Sequence, residues 1–207
     1  MKYTISCIVC GAYQENAYLL CPEGTQDAVL IDPGDDLDRL KSVLGDSGRR
    51  LRAILLTHGH FDHMLSAQPL STVTGAPVYV HEKDQTMLCD AHLNAYSPMA
   101  ARQSCPSDFE ADELEDAIQV AGIRFQVLHT PGHTQGSVCF YDAENAVLFS
   151  GDTLFCAGFG RMDLPGGSPA QMRQSLRQLF DLPGNTRVLC GHGDETTIAA
   201  ERARYRL

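Results

Sequence analysis

Between Thr57 and His63 the chain reads Thr-His-Gly-His-Phe-Asp-His, which places three imidazoles and one carboxylate within six residues. The apolar run Ala53-Ile54-Leu55-Leu56 just before it reads as a buried strand, so the cluster falls on the loop at that strand's exit. In an extended backbone, residues two apart face the same way, so His58 and His60 can reach one metal ion. Gly59 between them lets the chain pass close beneath that ion. Asp62 and His63 lie past the bend and point elsewhere, which suits a second ion. Imidazoles and carboxylates bind zinc or iron well, and burying several together without a cation is costly. A chance polar loop is the competing reading. Against it stand three later residues of ligand type, each at the end of an expected strand: His133 in His-Thr-Pro-Gly-His, Asp152 in Phe-Ser-Gly-Asp, and His192 in Cys-Gly-His-Gly.

With these residues in this order, the chain resembles the metallo-β-lactamase superfamily, whose signature His-x-His-x-Asp-His reads here as His58, His60, Asp62 and His63. The resemblance runs from about Gln14 to His192. Within the superfamily the chain is most similar to the glyoxalase II (hydroxyacylglutathione hydrolase) branch, on Gln14-Glu-Asn-Ala-Tyr-Leu-Leu20, Ile31-Asp-Pro-Gly34 and Gly151-Asp-Thr-Leu-Phe155. The segment Gly160-Arg-Met-Asp-Leu-Pro-Gly-Gly167 resembles the short, single-domain members of that branch. The resemblance implies two divalent metal ions, zinc first, with iron or manganese as alternatives. His58, His60 and His133 would hold one ion, Asp62, His63 and His192 the other, and Asp152 would bridge them. Three neutral imidazoles leave an open position for water, and a water shared by two ions becomes hydroxide near neutral pH. Asp62 and His63 would then act catalytically through that metal-bound water, with no Ser or Cys nucleophile required. Asp32 is implied as a support for the metal loop.

The expected reaction is hydrolysis of a thioester such as S-D-lactoylglutathione. Larger members hold glutathione with a helical C-terminal domain, whereas fifteen residues follow His192 here. The expectation is therefore one domain over residues 1–207 with no such addition. Larger members also place a lysine and a tyrosine for glutathione where this chain has Arg161 and Asp163. Arg161 is the candidate substrate-binding residue, able to clamp a carboxylate with paired hydrogen bonds, and an ion pair with Asp163 is the alternative. As a desolvated clamp it would change KM by about ten- to a hundredfold. Rival readings are a persulfide dioxygenase-like enzyme with one iron, or a hydrolase of another ester, lactone or phosphoester. Phe61, where the dioxygenase motif typically has Ala, argues against the first. Asp62 and Asp152 match the hydrolase pattern better than that of a β-lactamase.

The elements that must carry these residues alternate. Strands are expected at Lys2–Val9, Asn16–Leu20, Ala28–Ile31 and Leu51–Leu56, with a helix over Asp36–Leu44 between the last two. A helix over Met64–Thr74 and a short strand at Pro77–Val80 follow. Hairpins are expected at 118–128 and 137–149, then a helix over Pro169–Phe180, a strand at Arg187–Cys190 and a helix over Glu195–Tyr205. The pattern and the resemblance agree on an α/β fold, an αββα sandwich of two mixed sheets with helices on the outer faces. The stretch 88–110 is irregular, and long connections of this kind often border active sites. His81, His92 and His129 fall outside the ligand set. Met64-Leu65-Ser66 is bulkier than the small residues that resembling sequences carry after the last motif histidine.

A chain of 207 residues with 43% hydrophobic residues can bury a sizeable core. Its formal charge of −10 argues against a nucleic-acid surface, which needs clustered Lys and Arg, and leaves a small-molecule substrate. No run is long enough for a membrane span or a signal-peptide core, so the expected compartment is the cytoplasm. Oligomeric state is not legible. The eight cysteines are irregularly spaced and read as free thiols, with Cys7 and Cys10 on opposite faces of the first strand.

Overall fold

The computed structural model describes residues 1–205, and two six-stranded sheets account for the architecture. The first contains β1 (Tyr3–Cys10), β2 (Glu15–Pro22), β3 (Asp27–Ile31), β4 (Arg50–Leu55), β5 (Val78–Val80) and β6 (Asp112–Glu113), in that spatial order. The hairpins β1–β2–β3 are antiparallel, and β3 through β6 run parallel. The second contains β7 (Ala117–Val120), β8 (Ile123–His129), β9 (Val138–Asp142), β10 (Val147–Gly151), β11 (Arg187–Cys190) and β12 (Thr196–Thr197). Its only parallel pair among the described residues is β10–β11.

Strand alternation decides which way each side chain packs. Leu20, Val29, Ile31 and Leu55 of the first sheet meet Phe125, Phe140, Phe149 and Leu189 of the second in the central layer. Their neighbours Leu19, Leu30, Ile54 and Leu56 point the other way. They pack with Leu40 and Leu44 of α1 (Leu37–Ser47) and Leu70 of α3 (Ala67–Thr74). Cys139, Leu148 and Val188 likewise face α4 (Pro169–Phe180) and α5 (Ile198–Arg204), through Met172, Leu176, Leu179 and Ile198. The result is two mixed sheets face to face with helices outside, as expected. No helix is long and apolar enough to cross a membrane.

Three expected elements differ. The helix expected from Met64 begins inside the motif, as the single turn α2 (Phe61–Met64), and Leu65-Ser66 separates it from α3. Helix α1 continues past Gly45 and stops at Gly48, whose φ of +60° supplies the left-handed cap. The last helix is shorter than expected because Thr196 and Thr197 pair with β11 first. The irregular stretch 88–110 takes over from the end of a 3-10 helix at Glu82–Cys89 and runs up to β6.

Candidate metal centre

The candidate ligands all lie at strand exits. His58 and His60 leave β4, and Asp62 and His63 ride on α2. His133 sits in the β8–β9 connection, Asp152 follows β10, and His192 follows β11. The two sheets therefore each contribute part of one cluster. Ligand atoms converge within 4.8 Å in the groups His58–His60–His133 and Asp62–His63–His192. His60 Nδ1 lies 2.8 Å from His133 Nε2, and His63 Nε2 lies 3.3 Å from His192 Nε2. Asp152 stands between the groups, with Oδ1 3.3 Å from His63 Nε2 and Oδ2 3.4 Å from His133 Nε2. His192 Nε2 is 3.5 Å from Asp62 Oδ2.

Hydrogen bonds on the far side of each ring determine which nitrogen is bare. His133 Nδ1 donates to the Arg161 carbonyl and His192 Nδ1 to the Tyr13 carbonyl. A carbonyl only accepts, so Nδ1 carries a proton, and in the neutral ring that a metal ion requires the lone pair is then on Nε2. His63 Nδ1 donates to Asp32 Oδ2 at 3.1 Å. Thr57 Oγ1 donates to the same oxygen at 2.6 Å and accepts from His58 Nδ1 at 3.0 Å. Asp32 Oδ1 takes the Thr57 backbone N–H at 2.7 Å. This buried aspartate, held at φ +46°, thus orients His63 directly and His58 through Thr57.

What remains is a set of bare donors. His58 Nε2 and Asp152 Oδ1 are buried without a hydrogen-bond partner of good geometry, and the nitrogen that His60 turns toward the bare His133 Nε2 is Nδ1, at 2.8 Å. Burial holds the His58 imidazolium well below its usual range, and burial with His133 beside it holds His60 at about 3, so both rings are neutral. Burial opposes ionisation of Asp152, but the facing His63 and His133 rings outweigh it and hold the carboxyl below its usual range. Orphaned imidazole nitrogens flanking an ionised carboxylate fit divalent cations.

A metallo-β-lactamase superfamily model matches residues 10–192. The chain belongs to the metallo-β-lactamase superfamily. The solved structure of BLEG-1, a B3 metallo-β-lactamase, superposes with a TM-score of 0.90 at 38% identity and covers 97% of each chain. TTHA1623, solved in a di-iron-bound form, gives a TM-score of 0.84 at 42% identity, covering 95% of this chain and 96% of its own. The hydroxyacylglutathione hydrolase GloC of Haemophilus influenzae is 32% identical over 206 residues, 96% of this chain and 94% of that protein. Membership in the metallo-β-lactamase superfamily supports a metal-dependent hydrolase of small molecules, and the His/Asp clusters match its use of divalent metal ions.

Over the cluster lies a cavity of ≈ 310 Å³. Its lining combines the polar groups Asp152, His133, His192 and Arg161 with the larger, less polar Tyr13, Phe61 and Leu164. A larger hollow of ≈ 630 Å³ beside His81 and Glu113 shares none of these residues. Arg161 reaches the cavity but is engaged: Nε and Nη2 grip the two oxygens of Asp163 at 2.7 Å each. Of the irregular stretch, Ala95 lines the cavity, and the Asn94 carbonyl accepts the Phe61 N–H at 3.0 Å. His81 and His129 stack on one another and His92 is exposed, all outside the ligand groups.

Sequence reasoning assigned no role to several groups that the metallo-β-lactamase fold places around the centre. Asn16 Nδ2 donates to the carbonyls of Cys190 and Gly193, holding the His192 loop. Glu15 is fully buried, with Oε1 3.9 Å from His63 Nδ1, and burial raises its carboxyl well above the usual range. Asp84 is buried against the backbone of two ligand-bearing loops. Glu15 and Asn16 stand in the Gln14–Leu20 stretch that carried the resemblance. Nothing in the local sequence marks Asp84. Gly59 is also explained differently, since a Cβ there would meet Met87 Cβ at 2.8 Å and the Asp84 backbone at 3.2 Å.

Proposed function

We propose that the protein is a two-metal hydrolase of thioesters, similar to hydroxyacylglutathione hydrolases, acting on small acyl thioesters that carry a carboxylate. The observation carrying this reading is the pair of candidate ligand groups with the Asp152 carboxyl between them. His58, His60 and His133 would hold one ion, Asp62, His63 and His192 the second, and Asp152 both. Divalent ions bound there supply Lewis acidity and lower the pKa of water at the site. The remaining work belongs to the chain. Asp32 and Thr57 keep His58 and His63 in the tautomer that presents Nε2. Tyr13, Phe61 and Leu164 supply apolar lining against which an acyl group would pack. Arg161 stands in the same lining to receive a carboxylate in exchange for Asp163.

A complete Asp62–His63–His192 group favours two ions over a single-iron dioxygenase, which would leave those donors idle. A lactam is the second substrate class to test, on the strength of the likeness to BLEG-1. The experiment is elemental analysis of metal-replete protein beside steady-state hydrolysis of S-lactoylglutathione, a thioester without a carboxylate, and a β-lactam. Two ions per chain and preference for the first thioester are expected. One ion per chain, or full metal loading with no thioester turnover, would sink the reading.

A further inference from the structure

We infer that Asp84 is a positioning residue for the His58–His60–His133 half of the centre, clamping the two loops that carry those rings. This rests on the two-ion reading above. Asp84 belongs to the 3-10 helix and touches no candidate ligand side chain through a hydrogen bond. Its fully buried carboxylate takes three donors. Oδ2 accepts the Gly59 N–H at 3.0 Å and the Thr134 hydroxyl at 2.6 Å, and Oδ1 accepts the Gly136 N–H at 2.7 Å. Gly59 lies between His58 and His60, and Thr134 follows His133. One carboxylate therefore bonds the β4 exit of the first sheet to the β8–β9 connection of the second. These are the two loops that bring His60 Nδ1 to 2.8 Å from His133 Nε2.

His60 is the ring that needs this grip. His58, His63, His133 and His192 each have Nδ1 fixed by an oxygen partner, whereas Nε2 of His60 has none and its Nδ1 faces His133. Its placement depends on its backbone, and Asp84 holds the preceding N–H. The contact has no slack. A Cβ on Gly136 would come within 2.6 Å of the Asp84 carboxyl carbon. Asp32 cannot substitute, because its bonds go to Thr57 and His63. A charge-assisted clamp of this kind sets geometry without touching the ion.

The test is chelator-competition titration of metal-free protein with zinc alone, comparing wild type with Asp84→Asn and Thr134→Val. The amide of Asp84→Asn is nearly isosteric but presents N–H groups where donors now point. Wild type is expected to take up two ions. Asp84→Asn should keep one near its wild-type affinity and bind the other about 10- to 100-fold more weakly. Thr134→Val, losing one bond of the three, should shift the same step by less. Both steps unchanged, or both weakened alike, in Asp84→Asn would overturn the inference and leave the two-ion reading standing. Should Asp84→Asn not fold, Thr134→Val decides on the same terms, one weakened step supporting the clamp and none refuting it. A single ion in the wild type would overturn the two-ion reading and this inference with it.

Discussion

Arg161 meets the site through its backbone and, in the proposed reading, through its side chain. Its carbonyl fixes the His133 tautomer, and that contact survives any substitution of the side chain. The side chain is 63% exposed and its guanidinium is already paired with Asp163. The large KM effect expected of a desolvated clamp therefore shrinks, since solvent screens the charge and Asp163 competes for the fork. Arg161→Ala should leave zinc stoichiometry unchanged and raise KM for a carboxylate thioester by about two- to five-fold. Asp163→Asn, which frees the fork, should lower KM for the same substrate and leave a carboxylate-free thioester unaffected. Steady-state kinetics on both substrates check this, and parallel changes on the two would make Arg161 a structural residue.

At the level of elements, the site depends on how the ends of strands and helices are tied. Helix α4 starts with Ser168 as N-cap and Pro169 in its first turn, and the Ser168 N–H also donates to the Gly132 carbonyl at 2.9 Å. The Ser168 hydroxyl accepts the Gln171 N–H at 3.4 Å. Ser168→Ala removes the cap and keeps the backbone tie. It should cost about 1 kcal/mol in a denaturant titration without changing metal content. This helix and strand β11 were legible to the residue, because cap, period and the flanking Gly191 all lie in local sequence. That the seven candidate residues converge was legible from residue type and from the resemblance, with Asp62 and His63 on α2 and the others on loops that follow strands. Helix α2 was not: His60 caps it with no side-chain bond, and the Phe61 N–H is satisfied by Asn94, far along the chain. Asp84 stands in Glu-Lys-Asp-Gln, which reads as a solvated turn. Its partners Gly59, Thr134 and Gly136 all lie far along the chain.

For the molecule as a whole, burial of its thiols sets an alkaline limit on stability. Burial pushes the Cys10 thiol from its ordinary 9.0 up to about 12 and the Cys139 thiol up to about 11. The folded state keeps these protons where the unfolded chain releases them. Their contribution is complete below the ordinary thiol value and is lost as pH rises from about 9 through 11 to 12. Burial also raises the Tyr3 and Tyr18 hydroxyls above their ordinary 10.0, which steepens the decline. The denaturant midpoint should therefore fall between pH 8 and pH 10.5, with a smaller fall in Cys139→Ala. A midpoint flat across that interval would contradict the assignment. Exposed Cys7 and Cys156 should react with a maleimide at pH 8 while Cys10 and Cys139 do not.

The division of the ligands between the sheets bears on how the molecule is assembled. The first sheet is complete by Glu113, and the second begins at Ala117. An emerging chain thus presents His58, His60, Asp62 and His63 before His133, Asp152 and His192 exist to join them. If the proposed assignment holds, four donors without Asp152 make an incomplete chelate, so tight capture would wait for the sheets to close on each other. The contacts that close them are distant in sequence, such as His192 Nδ1 on the Tyr13 carbonyl and the Tyr18 hydroxyl on the Cys190 carbonyl, and distant contacts form late. A zinc-responsive dye present during refolding should therefore lose its metal to the protein only in the slowest phase, so that acquisition of the ion timestamps the final step of maturation.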